Sequence, residues 1–267
     1  MHPWLLHTDV FRLPTYFTCL MIGMALASGV LRREALRGGL DHREVMNAAL
    51  LALPAALAGA RVMHVLVEAP AYYWSHPLQV LSPMGGWVFY GGALGGVLAV
   101  AGWARWRGLD PWQLLDVFSV ATAFGLVFGR IGCLGGGCCY GRVADWPFGV
   151  VVPWAVRYYR RGQIPEDLLS VPLHPTPLYA VAIALALFVF LSFLRGRQRF
   201  GGEVLLAFLV LYGLGRSAAE LFRADVERGL FFGGLVSTSQ LLGLTTAAVA
   251  AATWWIWARR CTPSSST

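Results

Sequence analysis

Two arginines bracket a glycine-rich stretch in the middle of the chain, and their surroundings indicate a site for an anion. The stretch runs from Gly129 to Arg142, with the first arginine at Arg130, and it ends a long apolar run. An arginine at membrane depth costs about 2.5–3.5 kcal/mol on insertion scales, so it is retained where it has a partner or a function. Glycines let backbone N–H groups approach an anion closely. The stretch therefore predicts a site for a negatively charged group at the edge of a bilayer.

A second charged constellation consists of Arg216, Glu220 and Arg223. Their spacing of i, i+4 and i+7 predicts that they share one face of a helix. One interpretation is a structural ion pair between Arg216 and Glu220. The other adds a lipid phosphate held by Arg216 or Arg223. Two arginines and one glutamate leave a net positive charge, which slightly favours the interpretation that the group binds a phosphate.

Arg61 lies inside an apolar segment, where an isolated charge indicates a functional site. We expect His64, one turn later, to be a packing residue. Tyr90 lies just before a glycine-rich helix start. It is either an aromatic residue at the membrane interface or a residue whose hydroxyl points into a polar cavity, and the sequence favours neither interpretation. Two overlapping GxxxG spacings follow it, at Gly91/Gly95 and Gly92/Gly96, and predict close helix packing.

Three of the five cysteines, Cys133, Cys138 and Cys139, fall in the glycine-rich stretch. They fit small residues in a tight turn, which is the favoured interpretation. A disulfide from Cys133 to Cys138 or Cys139, or a reactive thiolate beside the arginines, are the alternatives. Because the chain has no CxxC pair and no histidine near this cluster, we expect no metal site.

Composition defines the broad class of protein. Of the 267 residues, 57% are hydrophobic and 13% charged, against about 25% charged in soluble domains. The sequence therefore predicts an all-α, polytopic membrane protein. The net charge of +7 suits an anionic lipid surface. The arginines are spread among the loops rather than gathered in one stripe, which argues against nucleic acid.

Seven apolar segments are long enough to span a bilayer. They lie at about 14–31, 47–67, 87–104, 112–128, 175–194, 203–221 and 236–258. The loops after the odd-numbered segments carry most arginines, which predicts an outer N-terminus and a cytoplasmic C-terminus. The arginines at the ends of segments four and six break this rule, which supports an anion site on the outer side. We expect one membrane domain over residues 1–267, with an irregular outer segment at about 129–174.

The chain resembles the prolipoprotein diacylglyceryl transferase family, bacterial membrane enzymes of lipoprotein maturation. The resemblance rests on several motifs in order along the whole chain. They are Pro14-Thr15-Tyr16-Phe17, Gly59-Ala60-Arg61, Phe89-Tyr90-Gly91-Gly92, Gly129-Arg130-Ile131-Gly132, Tyr140-Gly141-Arg142, His174-Pro175 with Leu178-Tyr179, Gly213-Leu214-Gly215-Arg216 with Glu220 and Arg223, and Ser237-Thr238-Ser239-Gln240. The chain departs from the family pattern at a few positions. Cys133 replaces an asparagine, Cys138 a glutamate, Tyr90 a histidine, and Pro177 and Ala180 a glutamine and a glutamate.

The resemblance implies transfer of a diacylglyceryl group from phosphatidylglycerol to the lipobox cysteine in the signal peptide of a prolipoprotein, giving a thioether and glycerol 1-phosphate. The catalytic residues would be Arg130 and Arg216 at the phosphate, with Tyr90 positioning the lipid or relaying a proton. The implied substrate-binding residues are Arg142, Tyr16, Arg61, Gly91, Gly92, Gly141, Glu220 and Arg223.

No cofactor is implied, and we expect a monomer in the bacterial cytoplasmic (inner) membrane. Two alternatives are a membrane thiol oxidoreductase using the Cys133/Cys138/Cys139 cluster and a non-catalytic lipid-binding paralogue.

Overall fold

The described residues form mainly helices, together with turns and small strand pairs. The computed structural model describes residues 4–7, 12–68, 70–82, 86–136, 139, 141–144, 150–151, 171–223, 230–231 and 236–261. The helices in this part of the chain are α1 (Thr15–Arg37), α2 (His42–Met63), α3 (Pro70–Ser75), α4 (Phe89–Trp106), α5 (Pro111–Gly136), α6 (Thr176–Arg195), α7 (Glu203–Glu220) and α8 (Thr238–Cys261). A π-helical turn (His64–Glu68) follows α2, and a 3-10 turn (Pro77–Leu81) follows α3.

Each of the seven predicted apolar segments is a helix, so the helical part of the prediction is confirmed. Five helices are long and apolar enough to cross a membrane: α1, α2 with its π-turn, α5, α6 and α8. The other two long helices, α4 and α7, do not meet the same criteria of length, hydropathy and low charge. Each has 18 residues, and α7 carries Glu203, Arg216 and Glu220 while α4 is rich in glycine. The chain is therefore a helical, multi-pass membrane protein.

Short strand pairs, which the all-α prediction does not contain, lie before the first helix and between later ones. Three two-stranded antiparallel sheets occur in the described residues. They pair β1 (Trp4–His7) with β2 (Arg12–Pro14), β3 (Val150–Val151) with β4 (Pro172–Leu173), and β5 (Leu230–Phe231) with β6 (Val236–Ser237). Strands of two to four residues are too short to show a period-2 pattern, so sequence periodicity does not reveal them.

The glycine-rich stretch begins as helix, which corrects the irregular segment predicted from residue 129. Helix α5 continues to Gly136 and carries Arg130 within it. Glycine weakens a helix by about 1 kcal/mol relative to alanine, but close packing offsets that cost. A Cβ on Gly132 would lie 3.1 Å from the carbonyl oxygen of Tyr16, and one on Gly135 would lie 2.6 Å from the methyl of Thr15. The glycines thus let α5 and α1 meet closely. Much of the predicted irregular segment after Gly136 lies outside the described residues.

The chain divides into two compact units. Unit 1 comprises residues 1–30 and 119–267, and unit 2 comprises residues 31–118. The core of unit 1 is a buried cluster of aliphatic side chains from α5, α6 and α7. Its members are Val120, Ala123, Leu187, Leu191, Val204 and Ala207.

In unit 2, α2 and α4 pack through small residues, as the GxxxG spacing predicts. A Cβ on Gly91 would collide with the carbonyl oxygen of Gly59, so the two backbones touch here. At the other end of α4, Arg107 donates two hydrogen bonds to Glu44, at 3.0 and 2.7 Å. The hydrogen bond to this carboxylate raises the pKa of Arg107, so the guanidinium stays charged. Close packing at the glycines and the Arg107–Glu44 ion pair therefore hold α2 and α4 together in unit 2.

Candidate active site

Arg130 and Arg216 line the same cleft of unit 1. The cleft lies between α5, α6 and α7 and is small, with a cavity volume of about 20 Å³. Tyr212 adds a phenol to its wall, and the other lining side chains are aliphatic or absent, as at Ala180 and Gly215. The two arginines therefore come together beside one small cleft whose surface is almost entirely apolar.

Helix geometry explains how Arg130 reaches the cleft. Leu126 and Arg130 are four residues apart on α5, so they share a face, and both line the cleft. Side chains close enough to interact electrostatically with Arg130 include Tyr212, Cys139 and Arg223. Arg130 therefore belongs to the same charged neighbourhood as the constellation at the end of α7.

The predicted ion pair between Arg216 and Glu220 is confirmed. Nη1 of Arg216 donates to Oε2 of Glu220, and Nη1 of Arg223 lies 3.8 Å from the same oxygen. The Glu220 side chain is 2% exposed, and those of Arg216 and Arg223 are 16% and 14% exposed. One buried carboxylate thus holds two guanidinium groups, and the trio carries a net positive charge. The common helical face predicted for all three is wrong, because α7 ends at Glu220 and the chain turns before Arg223.

Gly141 joins three segments near this trio. Its N–H donates to the His174 carbonyl at 3.1 Å, and it forms an antiparallel bridge with Arg223. A Cβ on Gly141 would collide with His174 and lie 2.9 Å from the Phe222 carbonyl oxygen. Only glycine allows both neighbours to approach this closely.

Arg142 is held beside Arg223 by the same bridge. Its N–H donates to the Phe222 carbonyl at 2.8 Å, and its Nε donates to the Arg223 carbonyl at 3.2 Å. Arg142 is exposed, while Arg223 is half-buried. The structure thus brings Arg142 into the neighbourhood of Arg223, as the candidate site requires, and its substrate-binding role stays a prediction.

Tyr16 lies on α1 opposite the end of α5. Its ring edge meets Phe17, with the two centroids 5.6 Å apart, and it is 37% exposed. A Cβ on Gly132 would lie 3.2 Å from the Tyr16 ring, so the tyrosine sits against the helical turn that follows Arg130. Its substrate-binding role stays a prediction.

Arg61, in unit 2, binds backbone carbonyls. It is 7% exposed, and it donates to Val80 at 2.9 Å, to Gln79 at 2.7 Å and to Gly86 at 3.3 Å. Its guanidinium also lies 5.1 Å from the centre of the Tyr73 ring. These contacts fix the connection between α3 and α4, so they support a structural role. The substrate-binding role predicted for Arg61 stays a prediction.

His64 is a packing residue with hydrogen-bond partners, as predicted. Its Nε2 accepts a hydrogen bond from the N–H of Gly86 at 3.2 Å, and its Nδ1 lies 2.5 Å from the Glu68 carboxylate. Because Nε2 accepts this hydrogen bond, Nδ1 carries the ring proton and donates a hydrogen bond to the Glu68 carboxylate. A Cβ on Gly86 would collide with the imidazole.

Tyr90, Gly91 and Gly92 begin α4 in unit 2. Tyr90 is half-buried, and its ring edge meets Phe89 with the centroids 5.8 Å apart. Gly91 abuts Gly59, and a Cβ on Gly92 would lie 3.2 Å from the Ala56 carbonyl oxygen. The two glycines therefore pack helices. The substrate-binding role of the glycines and the catalytic role of Tyr90 stay predictions.

Tyr212 is the cleft residue that the sequence analysis missed. It precedes Arg216 by four residues on α7, so both side chains face the cleft. Its ring stacks parallel on Phe208, with centroids 5.5 Å apart. The i, i+4 spacing from Arg216 was the signal that could have identified it.

Two of the three clustered cysteines, Cys133 and Cys139, lie in the described part of the chain. Cys133 is buried and Cys139 half-buried, and no disulfide joins these two described residues. Cys139 has a φ of 62°, a backbone conformation uncommon outside glycine, and its carbonyl accepts a hydrogen bond from Thr176. Cys138 lies outside the described residues. Within the described part of the chain, no group of three metal-binding side chains occurs.

Fold and site together define a multi-pass helical membrane protein with two arginines, Arg130 and Arg216, lining one cleft. A sequence model of the prolipoprotein diacylglyceryl transferase family matches residues 3–256, so the chain belongs to that family and is a transferase. The expected resemblance is confirmed.

Three relatives show how much of the chain the similarity covers. The phosphatidylglycerol–prolipoprotein diacylglyceryl transferase of Methylibium petroleiphilum is 36% identical, over 92% of this chain and 90% of its own. Its counterpart in Geobacter sulfurreducens is 34% identical, over 85% and 86%. The Clostridium tetani protein of the same name is 26% identical, over 92% and 94%.

Proposed function

We propose that this chain transfers a diacylglyceryl group from phosphatidylglycerol to the lipobox cysteine of a prolipoprotein. The cysteine thiol loses its proton to water, and its sulfur attacks the carbon of the diacylglyceryl group that is bonded to the phosphate oxygen. A carbon–sulfur bond forms, the carbon–oxygen bond breaks, and glycerol 1-phosphate leaves. The observation that carries the proposal is that Arg130 and Arg216 share one cleft in a chain of this family.

The arginines act on the phosphate. The leaving group gains negative charge as the carbon–oxygen bond breaks, and fixed positive charges aimed at it stabilise the transition state. Arg130 and Arg216 bind the phosphate, and Glu220 orients Arg216 through its hydrogen bond. Arg142 and Arg223 contribute further positive charge at the end of α7. No metal or organic cofactor takes part in this scheme.

The nucleophile comes from the substrate, so the enzyme needs none of its own. A free cysteine thiol has a pKa of about 8.5, and nearby positive charge favours its thiolate. The same arginines therefore stabilise both the leaving phosphate and the attacking thiolate. Tyr90 and Tyr16 position the lipid, and an unperturbed phenol is a poor base at neutral pH.

We extend the proposal to topology and location. All seven long helices cross the bacterial inner membrane, with the N-terminus outside, the C-terminus in the cytoplasm and both units in one membrane domain. The arginines after α1, α4, α6 and α8 support this orientation. Arg130 then lies at the outer end of α5, where a secreted precursor would present its cysteine. The enzyme acts as a monomer.

The proposal is tested by mixing the purified protein with phosphatidylglycerol labelled in its diacylglyceryl group and a lipobox peptide. Labelled thioether product is expected, and a peptide with serine in place of cysteine should stay unlabelled. If stable protein gives no product and fails to rescue cells depleted of the transferase, it is a non-catalytic lipid-binding paralogue. A change in thiol alkylation of the denatured protein between reduced and untreated samples would instead revive the oxidoreductase alternative.

A further inference from the structure

The first turn of α8 is capped by its own side chains and bonded to α7. The N–H of Gln240 donates to Oγ of Ser237 at 3.2 Å, and the N–H of Ser237 donates to Oε1 of Gln240 at 3.0 Å. This reciprocal pair is a capping box, which satisfies two backbone donors at the start of a helix. The side-chain amide of the same glutamine donates to the carbonyl of Ser217, on α7, at 3.4 Å. The start of α8 is therefore fixed against the helix that carries Arg216.

Close packing between α7 and α8 reinforces this connection. A Cβ on Gly213 would collide with the carbonyl oxygen of Gly243, so the two backbones touch. Later residues of α7 contact earlier residues of α8, since Ser217 meets Gln240. The two helices are thus antiparallel, and the end of α7 lies beside the start of α8.

Ser239 lies in this first turn, and the capping box does not use its hydroxyl. Its Oγ lies 3.1 Å from Oγ of Ser237, and its side chain hydrogen-bonds the Glu220 carboxylate. That carboxylate also accepts from Arg216, and it lies 3.8 Å from Nη1 of Arg223. Ser239 therefore joins the start of α8 to the charged trio beside the cleft.

The chemistry of these groups fixes the direction of each hydrogen bond. The carboxylate of Glu220, ionised in its pair with Arg216, only accepts, so Ser239 donates its one hydroxyl hydrogen to it. The oxygen of Ser239 then accepts from Ser237, whose own oxygen accepts from the N–H of Gln240. The donors thus run in one direction from the α8 backbone to the carboxylate. Hydrogen bonds aligned in this way strengthen one another.

We propose that Ser239 is a positioning residue that acts on Arg216 through Glu220, a role that rests on the proposed function. A carboxylate shared by two guanidinium groups can rotate between them, and a hydroxyl donor from a fixed helix restricts that rotation. The partial positive charge at the start of α8 also favours the carboxylate. Glu220 then holds the guanidinium of Arg216 at the cleft, where the leaving phosphate gains charge.

The test is a series of serine variants in the transfer assay with labelled phosphatidylglycerol and a lipobox peptide. Ser239→Ala removes the hydroxyl, and Ser239→Thr keeps it. We expect kcat to fall about fivefold or more in Ser239→Ala and to stay within about twofold of wild type in Ser239→Thr. Ser217→Ala is the matched control, because its half-buried hydroxyl donates to the Gly213 carbonyl at 2.8 Å. Its kcat should change less than about twofold.

A double-mutant cycle separates positioning from a merely structural role. In a Glu220→Gln background, Ser239→Ala should cost much less than in the wild type, because the connection to Arg216 is already altered. An equal fold loss in both backgrounds would overturn the proposal. Full activity of stable Ser239→Ala protein would also overturn it and would leave the proposed function intact. If Ser239→Ala does not accumulate, Ser239→Cys, with its weaker donor, takes its place and should likewise lower kcat.

Absence of transfer by the wild-type protein would instead count against the proposed function. In that case, or if Glu220→Gln leaves no measurable rate, phosphatidylglycerol binding by the same variants is compared by native mass spectrometry. Weaker binding by Ser239→Ala than by Ser239→Thr would support the positioning of Arg216. Equal binding by the two variants would overturn it.

Discussion

Arg130 on α5 and Arg216 on α7 both line one cleft, although 85 residues separate them along the chain. The cleft wall between them is mostly aliphatic, so the two guanidinium groups are its main charges. Glu220 accepts a hydrogen bond from Arg216, which restricts the orientation of that guanidinium. This arrangement leads to the following predictions.

Replacing Arg130 by alanine should reduce transfer at least about a hundredfold, because the leaving phosphate loses a charged hydrogen-bond donor. The protein should still insert and accumulate, since apolar residues dominate α5. The measurement is initial rate with labelled phosphatidylglycerol and a lipobox peptide. Arg33→Ala, which removes an exposed arginine of α1, is the matched control and should remain active. Normal turnover by stable Arg130→Ala protein would refute the phosphate role of Arg130.

Replacing Arg216 by lysine keeps the charge and removes the planar fork that can hold a phosphate and Glu220 together. Transfer should fall at least tenfold, which corresponds to about 1.4 kcal/mol of transition-state stabilisation. Glu220→Gln should also lower the rate, because Arg216 loses its ionic partner. Rates are measured over a range of phosphatidylglycerol concentrations. If Arg216→Lys keeps full activity throughout, Arg216 acts as a point charge, and the phosphate site lies nearer Arg130 and Arg142.

Replacing Cys133 by asparagine together with Cys138 by glutamate restores the residues common in the family. Activity should be kept or increased, because the substrate supplies the only thiol that the reaction needs. The same transfer assay measures the outcome, with thermal unfolding as the check on folding. Complete loss of activity in a well-folded double variant would show that this branch of the family depends on its thiols.

Replacing Gly91 by alanine should destabilise unit 2, because the new Cβ would collide with the Gly59 carbonyl and the Met63 side chain. We expect a loss of about 1–3 kcal/mol, seen as a lower thermal unfolding midpoint in detergent. Gly102→Ala is the control in the same helix, since no atom lies within 4 Å of its added Cβ. Unchanged stability of Gly91→Ala with a raised KM for phosphatidylglycerol would favour substrate binding over packing.

Local patterns in the sequence were sufficient to predict the helices and one part of the candidate site, the Arg216–Glu220 pair. Apolar length identifies the helices because each is long enough to repeat its pattern over several turns. The Arg216–Glu220 pair follows from i, i+4 spacing, which fixes the distance between two side chains within a helix. The GxxxG spacing likewise identified the packing face of α4, since close contact there needs only the absence of side chains.

Tertiary structure alone decided which charges meet. Nothing local to Arg130 indicates that it shares a cleft with Arg216, because that proximity depends on how α5, α6 and α7 pack. Helix α5 continues through its glycines because α1 lies against them, and Gly141 is required because His174 and Phe222 approach it from other parts of the chain. Arg61, equally isolated in its apolar segment, contacts backbone carbonyls that come from 18 to 25 residues away. A sequence shows that a buried arginine needs partners, and only the folded chain determines which atoms they are.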